Sequence, residues 1–446
     1  MASKQRVNIV TMGCSKNLVD SEVLLRRLSD VGFDATADLE ADQIRPDKDL
    51  VVVINTCGFI GDAKEESIQE ILAWADLKSK GRIGRLIVMG CLSQRYLDEL
   101  KKEIPEVDSW YGKTDWSGIV AELSSQRPGC VAYDRLLTTG PHHAFVKISE
   151  GCNRFCAFCA IPLITGRHRS RPQEEILEEV KLLVGRGVGE FNVIAQDLSS
   201  YGKDLKSGQD SGMSPLAELI DKMAGIEGVK RIRLHYAYPT EFPLDVLDVM
   251  ARHENVCRYL DIALQHISDK VLTAMRRHIS AKETRELLAE IRRRVPGIHI
   301  RTTLMVGFPG EDEEAYEELL DFVREQRFER MGAFAYCEED DTYAALHLDD
   351  NIPAEVKQSR LDKLMALQEG ISAEIQEAKV GKTFEVVIDR EEDEYYVGRT
   401  EFDSPEVDPE VLIRKTRKLK RGQYVTVNIT EAAPFELFGE IIEAER

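Results

Sequence analysis

The sequence predicts an α/β chain in three parts: an N-terminal open parallel α/β domain over residues 1–138, a central partial (βα)6 barrel over 139–376, and a small antiparallel β-barrel over 377–446. Three observations predict this. Short β-branched runs alternate with amphipathic helical stretches through the first two parts, the pattern of parallel sheets covered by helices. The central part holds six strand-like stretches, which favours an open barrel over a closed eight-stranded one. After about residue 380 the period changes to short alternating segments separated by Asp, Pro and Gly.

In the first part, VNIVTMGC (7–14), DLVVVINTCG (49–58) and RLIVMGC (85–91) each read as a buried strand ending in a cysteine, with the helical stretches SEVLLRRLSDVG and AKEESIQEILAWADL between them. Parallel strands would bring Cys14, Cys57 and Cys91 to their carboxyl ends, the edge of an open α/β sheet where ligands bind. The central strands are HAFVKIS (143–149), FNVIAQD, RIRLHYAYP, YLDIALQ, IHIRTTLMVGFP and MGAFAYC, and a polar helix, AEVKQSRLDKLMALQEGISAEIQEA, leads out of them. The tail strands are FEVVID (384–389), YYVGRT (395–400), YVTVNIT (424–430) and FGEIIE (438–443).

With 43% hydrophobic and 31% charged residues, the 446-residue chain has the composition of a globular protein with sizeable cores. No apolar run approaches the roughly 18 residues of a membrane span. The start, MASKQRVNIV, has no signal-peptide core, so a cytoplasmic location is expected. A net charge of −20 argues against a strong nucleic-acid footprint and suits a basic partner. In the tail, where acidic residues outnumber basic ones, KTRKLKR (415–421) is a dense basic run that reads as a solvated loop. Nine cysteines in such a chain make a disulfide framework unexpected, so their spacing carries the information.

EGCNRFCAFCAIP (150–162) places Cys152, Cys156 and Cys159 in a C-x3-C-x2-C run, which lets one loop wrap a compact inorganic core. Three thiolates on a four-iron cluster leave one iron open, whereas a structural zinc site closes with four ligands. His142, His143 and His168 are near enough in sequence to be considered as a fourth ligand, His168 lying in a basic loop that reads as a charged rim. GFPGED (307–312) is a glycine-bearing loop that fits either a cofactor edge or a plain turn. Cys130, Cys257 and Cys337 lack partners at meaningful spacing and read as structural.

The cysteine run at the end of the first barrel strand, with Phe158 before its last cysteine, resembles the radical S-adenosylmethionine superfamily. That resemblance implies a 4Fe-4S cluster on Cys152, Cys156 and Cys159, whose open iron chelates S-adenosylmethionine and whose electron cleaves it to a 5′-deoxyadenosyl radical. Where the superfamily has Gly-Gly-Glu, this chain has Val188-Gly189-Glu190, which implies Glu190 as a contact of the methionyl amine; read as structure alone, Glu190 is a surface carboxylate at a helix–strand turn.

Three dispersed cysteines, a radical barrel and a small β-barrel together resemble the methylthiotransferases over essentially the whole chain. The stretches MGCSKNLVDSE (12–22), NTCGFIGDAKEESI (55–68), YLDIALQHISDKVLTAMRR (259–277) and TTLMVGFPGEDEEAYEELLDFV (302–323) are similar to the branch that modifies an aspartate of a small-subunit ribosomal protein. The alternative branch modifies an adenosine in tRNA. EEDDTYAA (338–345) departs from the family, which has a glycine before the threonine. The resemblance implies a second 4Fe-4S cluster on Cys14, Cys57 and Cys91 that carries the sulfur. It also implies hydrogen abstraction from the β-carbon of the target aspartate, a methyl group from a second S-adenosylmethionine, and a tail barrel of the TRAM type. The partners it implies are the ribosomal protein, free or on the ribosome, and an external electron donor.

Overall fold

The computed structural model describes residues 4–41, 44–205 and 212–442. Residues 1–3 of the stretch read for a leader, and Glu443 at the end of the last expected strand, lie outside the described residues. The chain forms two compact units where three domains were expected. One is Met1–Thr138 with Glu150–Asn153 and Ala160–Arg167; the other is Thr139–Ser149 with Arg154–Cys159 and His168–Arg446. The central and C-terminal barrels thus share one unit.

The first unit is built on a parallel sheet of β1 (Arg6–Thr11), β2 (Asp34–Ala37), β3 (Asp47–Thr56), β4 (Ile83–Gly90) and β5 (Ser109–Trp110), in the order β2-β1-β3-β4-β5. The unbroken apolar run Leu50–Ile54 of β3 is buried on both faces, as a central parallel strand requires. Alternate residues face opposite cores: Val52, Ile54 and Leu86 pack with Trp74 and Ile71, while Val51, Val53 and Ile87 pack with Leu24, Leu25 and Leu28. The covering helices include α1 (Ser15–Asp30), α2 (Gly61–Ser79), α3 (Cys91–Glu103) and α4 (Trp116–Leu123). The short edge strands β2 and β5 were not anticipated.

In the second unit, β6 (His143–Lys147), β9 (Glu190–Ile194), β10 (Arg231–Ala237), β11 (Val256–Ile262), β12 (His299–Val306) and β13 (Arg330–Ala335) form a six-stranded parallel sheet in sequential order, left open between β6 and β13. Two-residue strands β7 (Ser149–Glu150) and β8 (Arg169–Ser170) flank the cysteine run in the chain. The polar helix Ala354–Glu377 does not simply lead away. Gln368 Nε2 donates to the Phe328 carbonyl at 2.9 Å and Ser372 Oγ to the Pro434 carbonyl at 2.7 Å, tying the helix to both barrels.

The C-terminal barrel closes in the order β14-β15-β16-β18-β17, from β14 (Thr383–Glu391), β15 (Tyr395–Arg399), β16 (Glu410–Arg414), β17 (Tyr424–Ala433) and β18 (Glu436–Ile441). It has one strand more than the sequence suggested, β16. A closed ring with an odd number of strands cannot alternate direction throughout, so one pair must be parallel, and here it is β16 with β18. Its core is Val386, Ile388, Val411, Ile413, Val427 and Ile429. The segment after β15 caps the amino ends of the central strands. Arg231, which begins β10, donates to the Arg399 carbonyl at 3.1 Å, and Arg330, which begins β13, pairs with Asp403 at 2.6 Å. Tyr259 OH donates to Asp408 at 2.8 Å. The opposite, carboxyl edge is left for chemistry.

Candidate cluster sites

In the first unit, β1, β3 and β4 are adjacent and parallel, so the turns that follow them adjoin. Cys14 caps α1, Cys57 follows the last residue of β3, and Cys91 opens α3 directly after β4. Gly13, at φ +86°, lies so close to Cys57 that a Cβ on it would sit 2.8 Å from the Cys57 sulfur. A Cβ on Gly58 would meet the Leu92 backbone nitrogen at 2.6 Å, so the other side of the crevice is equally close.

Polar side chains fix these turns. Asn17 Nδ2 donates to the Met12 and Thr56 carbonyls at 3.0 Å each, and its Oδ1 accepts from the Cys91 thiol at 3.7 Å. Ser67 Oγ bonds both the amide and the carbonyl of Cys57 at 3.0 Å. Cys57 and Cys91 are buried and Cys14 is exposed. Burial pushes the Cys57 thiol up, and Cys14 adds to it. Burial pushes Cys91 up to about 12, with Lys113 acting in the opposite direction. These thiols therefore stay protonated until a metal replaces the proton.

In the cysteine run, Cys152 and Cys156 are buried and Cys159 is half-buried. Gly151, at φ +78°, approaches Arg167 so closely that a Cβ would fall 2.2 Å from its carbonyl oxygen. Phe155 takes a left-handed φ of +48°. Within the second unit, the Ala157 amide donates to the Met275 carbonyl at 2.9 Å, and its carbonyl accepts from Ala344 at 2.7 Å.

Two residues beyond the cysteines complete this environment. Arg277 is buried and donates from Nη1 to the Cys156 sulfur at 3.3 Å, while the Tyr238 hydroxyl lies 3.5 Å from the same sulfur. The Arg277 guanidinium stacks 4.1 Å over the Tyr238 ring, and Arg154 lies over it at 4.3 Å while pairing with Asp197 at 2.7 Å. Tyr238 and Asp197 follow the carboxyl ends of β10 and β9, so the cations, the hydroxyl and the thiol share the ligand-binding edge.

Comparison with known proteins agrees with this layout. Three family models match: the uncharacterized protein family UPF0004 over residues 6–112, the radical SAM superfamily over 146–323, and the TRAM domain over 380–442. The ribosomal protein uS12 methylthiotransferase RimO of Phocaeicola vulgatus is 56% identical over 440 residues, covering 98% of this chain and 100% of the relative. That of Porphyromonas gingivalis is 54% identical over 442 residues, covering 99% and 100%. The chain belongs to the ribosomal protein uS12 methylthiotransferase family. A solved radical S-adenosylmethionine methyltransferase, TsrM from Kitasatospora setae, shares the fold at a TM-score of 0.53 and 14% identity, over 75% of this chain and 72% of that one.

In this member of the family, Glu190 is not where the sequence put it. It opens β9, in register with His143 at the start of β6, so it lies at the amino edge of the sheet, away from the turns after the strands. It is fully buried. Its carboxylate accepts from Arg233 at 2.5 Å and from Arg399 at 2.7 Å, and these guanidiniums hold it well below the usual carboxylate range although burial opposes them. Both charges around it are consumed, which leaves no carboxylate for a methionyl amine. At the carboxyl end of the same strand stand Gln196 and Asp197, in the stretch VIAQD.

The histidines weighed as a fourth ligand also have other partners. His142 Nε2 lies 2.7 Å from Asp389 and 3.4 Å from His143 Nδ1, at the amino edge. The ligand atoms of these three side chains lie within 4.8 Å of one another, close enough to hold a metal ion, but Asp389 already takes two bonds from Arg399, at 2.6 and 2.8 Å. His168, expected on a charged rim, is instead buried 3.0 Å from Ser170 Oγ. The GFPGED loop is a built turn at the carboxyl edge after β12. Glu311 accepts from the Gly307 amide at 3.0 Å and pairs with Arg360 at 2.8 Å, and Phe308 packs edge-on to Phe158. KTRKLKR forms a mostly exposed loop between β16 and β17, with Leu419 turned inward.

Proposed function

We propose that the chain is a radical S-adenosylmethionine methylthiotransferase that adds a methylthio group to the β-carbon of an aspartate in ribosomal protein uS12, the reaction class for which its relatives are named. The observation that carries this reading is the convergence of Cys14, Cys57 and Cys91 from three strand ends onto one crevice, in a chain that also carries the C-x3-C-x2-C run. Cys14, Cys57 and Cys91 hold an auxiliary 4Fe-4S cluster, and Cys152, Cys156 and Cys159 hold the one that binds S-adenosylmethionine. The donors fit. Cys14, Cys57 and Cys91 are not among the described groups whose ligand atoms lie within 4.8 Å of one another. A single zinc with bonds of about 2.3 Å would draw its sulfurs closer than that, whereas a multi-iron core spans a wider set.

When bound, the clusters and S-adenosylmethionine supply one-electron chemistry, sulfur and a methyl group for a C–H bond that acid–base catalysis cannot open. The chain binds and orients. Arg277 keeps a positive charge and a donor against Cys156, and Tyr238 offers its hydroxyl to the same sulfur. Gly13 allows close backbone approach in the auxiliary crevice. The division of labour follows residues 1–138, 139–376 and 377–446, with the acidic tail barrel suited to a basic ribosomal protein. No helix among the described residues is long and apolar enough to cross a membrane, which is compatible with the cytoplasmic site of such a partner; an external reductant supplies electrons.

The test is mass spectrometry of uS12 after incubation with the reconstituted protein, S-adenosylmethionine and reductant. A methylthio group on one aspartate is expected. Methylthiolated adenosine in tRNA with unmodified uS12 overturns the reading in favour of the tRNA branch.

A further inference from the structure

Tyr236 lies in β10 with a left-handed φ of +63°, a conformation that an aromatic residue rarely takes. The strand bulges there. Leu234 pairs with Leu260 and Ala237 with Ile262, so β10 has one residue more than β11 between the two pairs. The Tyr236 amide donates to Oδ2 of Asp261, a buried carboxylate, at 3.1 Å. The bulge changes which way the side chain points. Arg233 and His235 occupy the inner face of the sheet: the Arg233 guanidinium lies 5.5 Å over the Tyr259 ring, and the His235 ring lies 5.6 Å from it. Ile232 and Leu234 point the other way and are fully buried. Regular alternation would send Tyr236 with them. Instead its ring lies 6.0 Å from the His235 ring, on the same side, and the residue is only half-buried. Two residues on, the Tyr238 hydroxyl reaches the Cys156 sulfur at 3.5 Å. The phenol thus stands on the inner face of the open barrel, next along the strand to the residue that touches the cysteine run. The bond to Asp261 does not account for the side chain, since any residue supplies an amide and glycine would take this φ without strain. Core packing does not account for it either, because the residue stays half-exposed. Strain kept under a half-exposed phenol points to a role for that phenol.

We propose that Tyr236 is a substrate-positioning residue whose hydroxyl holds the carboxylate of the target aspartate, with the β-carbon turned towards the cysteine run. The inference rests on the reading that an aspartate of uS12 is the substrate. The reacting β-carbon is one bond from that carboxylate, so a donor on the carboxylate also places the carbon. A phenol hydroxyl is a neutral donor that makes a short, charge-assisted bond to a carboxylate. Holding the reacting atom in one place directs a reactive intermediate to it and away from side reactions.

The experiment compares reconstituted full-length protein with Y236F, Y236A and Y236G, each supplied with S-adenosylmethionine, reductant and uS12. Methylthiolated uS12 is counted by mass spectrometry against 5′-deoxyadenosine by chromatography, and urea denaturation gives the midpoint of each variant. Y236F keeps the ring and loses only the hydroxyl. Its yield of methylthiolated uS12 per 5′-deoxyadenosine is expected to fall at least about fivefold. Y236G is expected to unfold at higher urea than Y236A, because glycine relieves the left-handed backbone. A Y236F ratio equal to that of the wild type overturns the role of the hydroxyl, even where both products fall together. A Y236A midpoint equal to that of Y236G overturns the strain on which the inference stands. A wild-type chain that forms 5′-deoxyadenosine and leaves uS12 unmodified overturns the underlying reading instead.

Discussion

The two ends of the central parallel sheet are both lined with buried arginines, yet those arginines do different things. At the amino edge, Arg233 and Arg399 are spent on Glu190 and Asp389, and Arg330 on Asp403. At the carboxyl edge, Arg277 faces a cysteine sulfur, and among the described residues its other hydrogen bond goes to a backbone carbonyl, that of Ala263. A buried cation answered by a carboxylate is architecture. A buried cation aimed at a cysteine sulfur is placed for the charge that the sulfur carries as a metal ligand. The same residue type therefore reads differently according to which end of the strands it occupies.

The largest expected effect sharpens the carboxyl edge. Cys156→Ala should reduce 5′-deoxyadenosine formation at least a hundredfold, about 2.7 kcal/mol, measured by chromatography after incubation with S-adenosylmethionine and reductant. Cys57→Ala should keep that cleavage and lose uS12 methylthiolation. Equal loss of cleavage in both variants would mean that the two cysteine sets act as one site, and the comparison between separate sites would fail.

Next comes Glu190→Gln at the amino edge. Removing one partner of a buried ion pair costs about 3–5 kcal/mol because the other charge is left unanswered, and Glu190 answers two guanidiniums. The denaturation midpoint should fall strongly, while the KM for S-adenosylmethionine in the folded fraction stays as in the wild type. The opposite pattern, an unchanged midpoint with a raised KM, would return Glu190 to the cofactor.

What the sequence made legible follows the same division. Cys152, Cys156 and Cys159 are local, so their spacing alone identifies a cluster loop. Cys14, Cys57 and Cys91 became legible because each ends a β-branched run, and parallel strands carry their ends to one edge. Arg277 and Tyr238 have no such signal; only the folded chain brings them to Cys156. The strands β2 and β5 were missed because they have four and two residues, too short for a period to register, and β2 is Asp-Ala-Thr-Ala. Glu190 was misplaced although the needed signal was present. It precedes FNVIAQD, so strand polarity already put it at the amino edge. The carboxyl edge is at the other end of that strand, where Gln196 and Asp197 stand.

The smallest effect is a pH dependence confined to the amino edge. Burial, and after it the Arg399 charge, bring His143 down to about 4, so the folded chain refuses a proton that the unfolded chain accepts near pH 6.5. The unfolded state then binds more protons between those values, so stability falls as pH falls from about 6.5 to about 4, by roughly 3 kcal/mol at most. Asp389 is held at about 2 by Arg399 and His142 against its burial. Its contribution is present above the ordinary carboxylate value near 4 and is lost as pH falls from there towards about 2, by roughly 2–3 kcal/mol. Both limbs slope the same way, and urea denaturation at stepped pH should resolve them in sequence. His143→Gln should flatten the upper limb and leave the lower one. Zinc should move neither, since Arg399 already occupies Asp389; a midpoint that rises with added zinc would make His142, His143 and Asp389 a metal site and erase the contrast between the two edges.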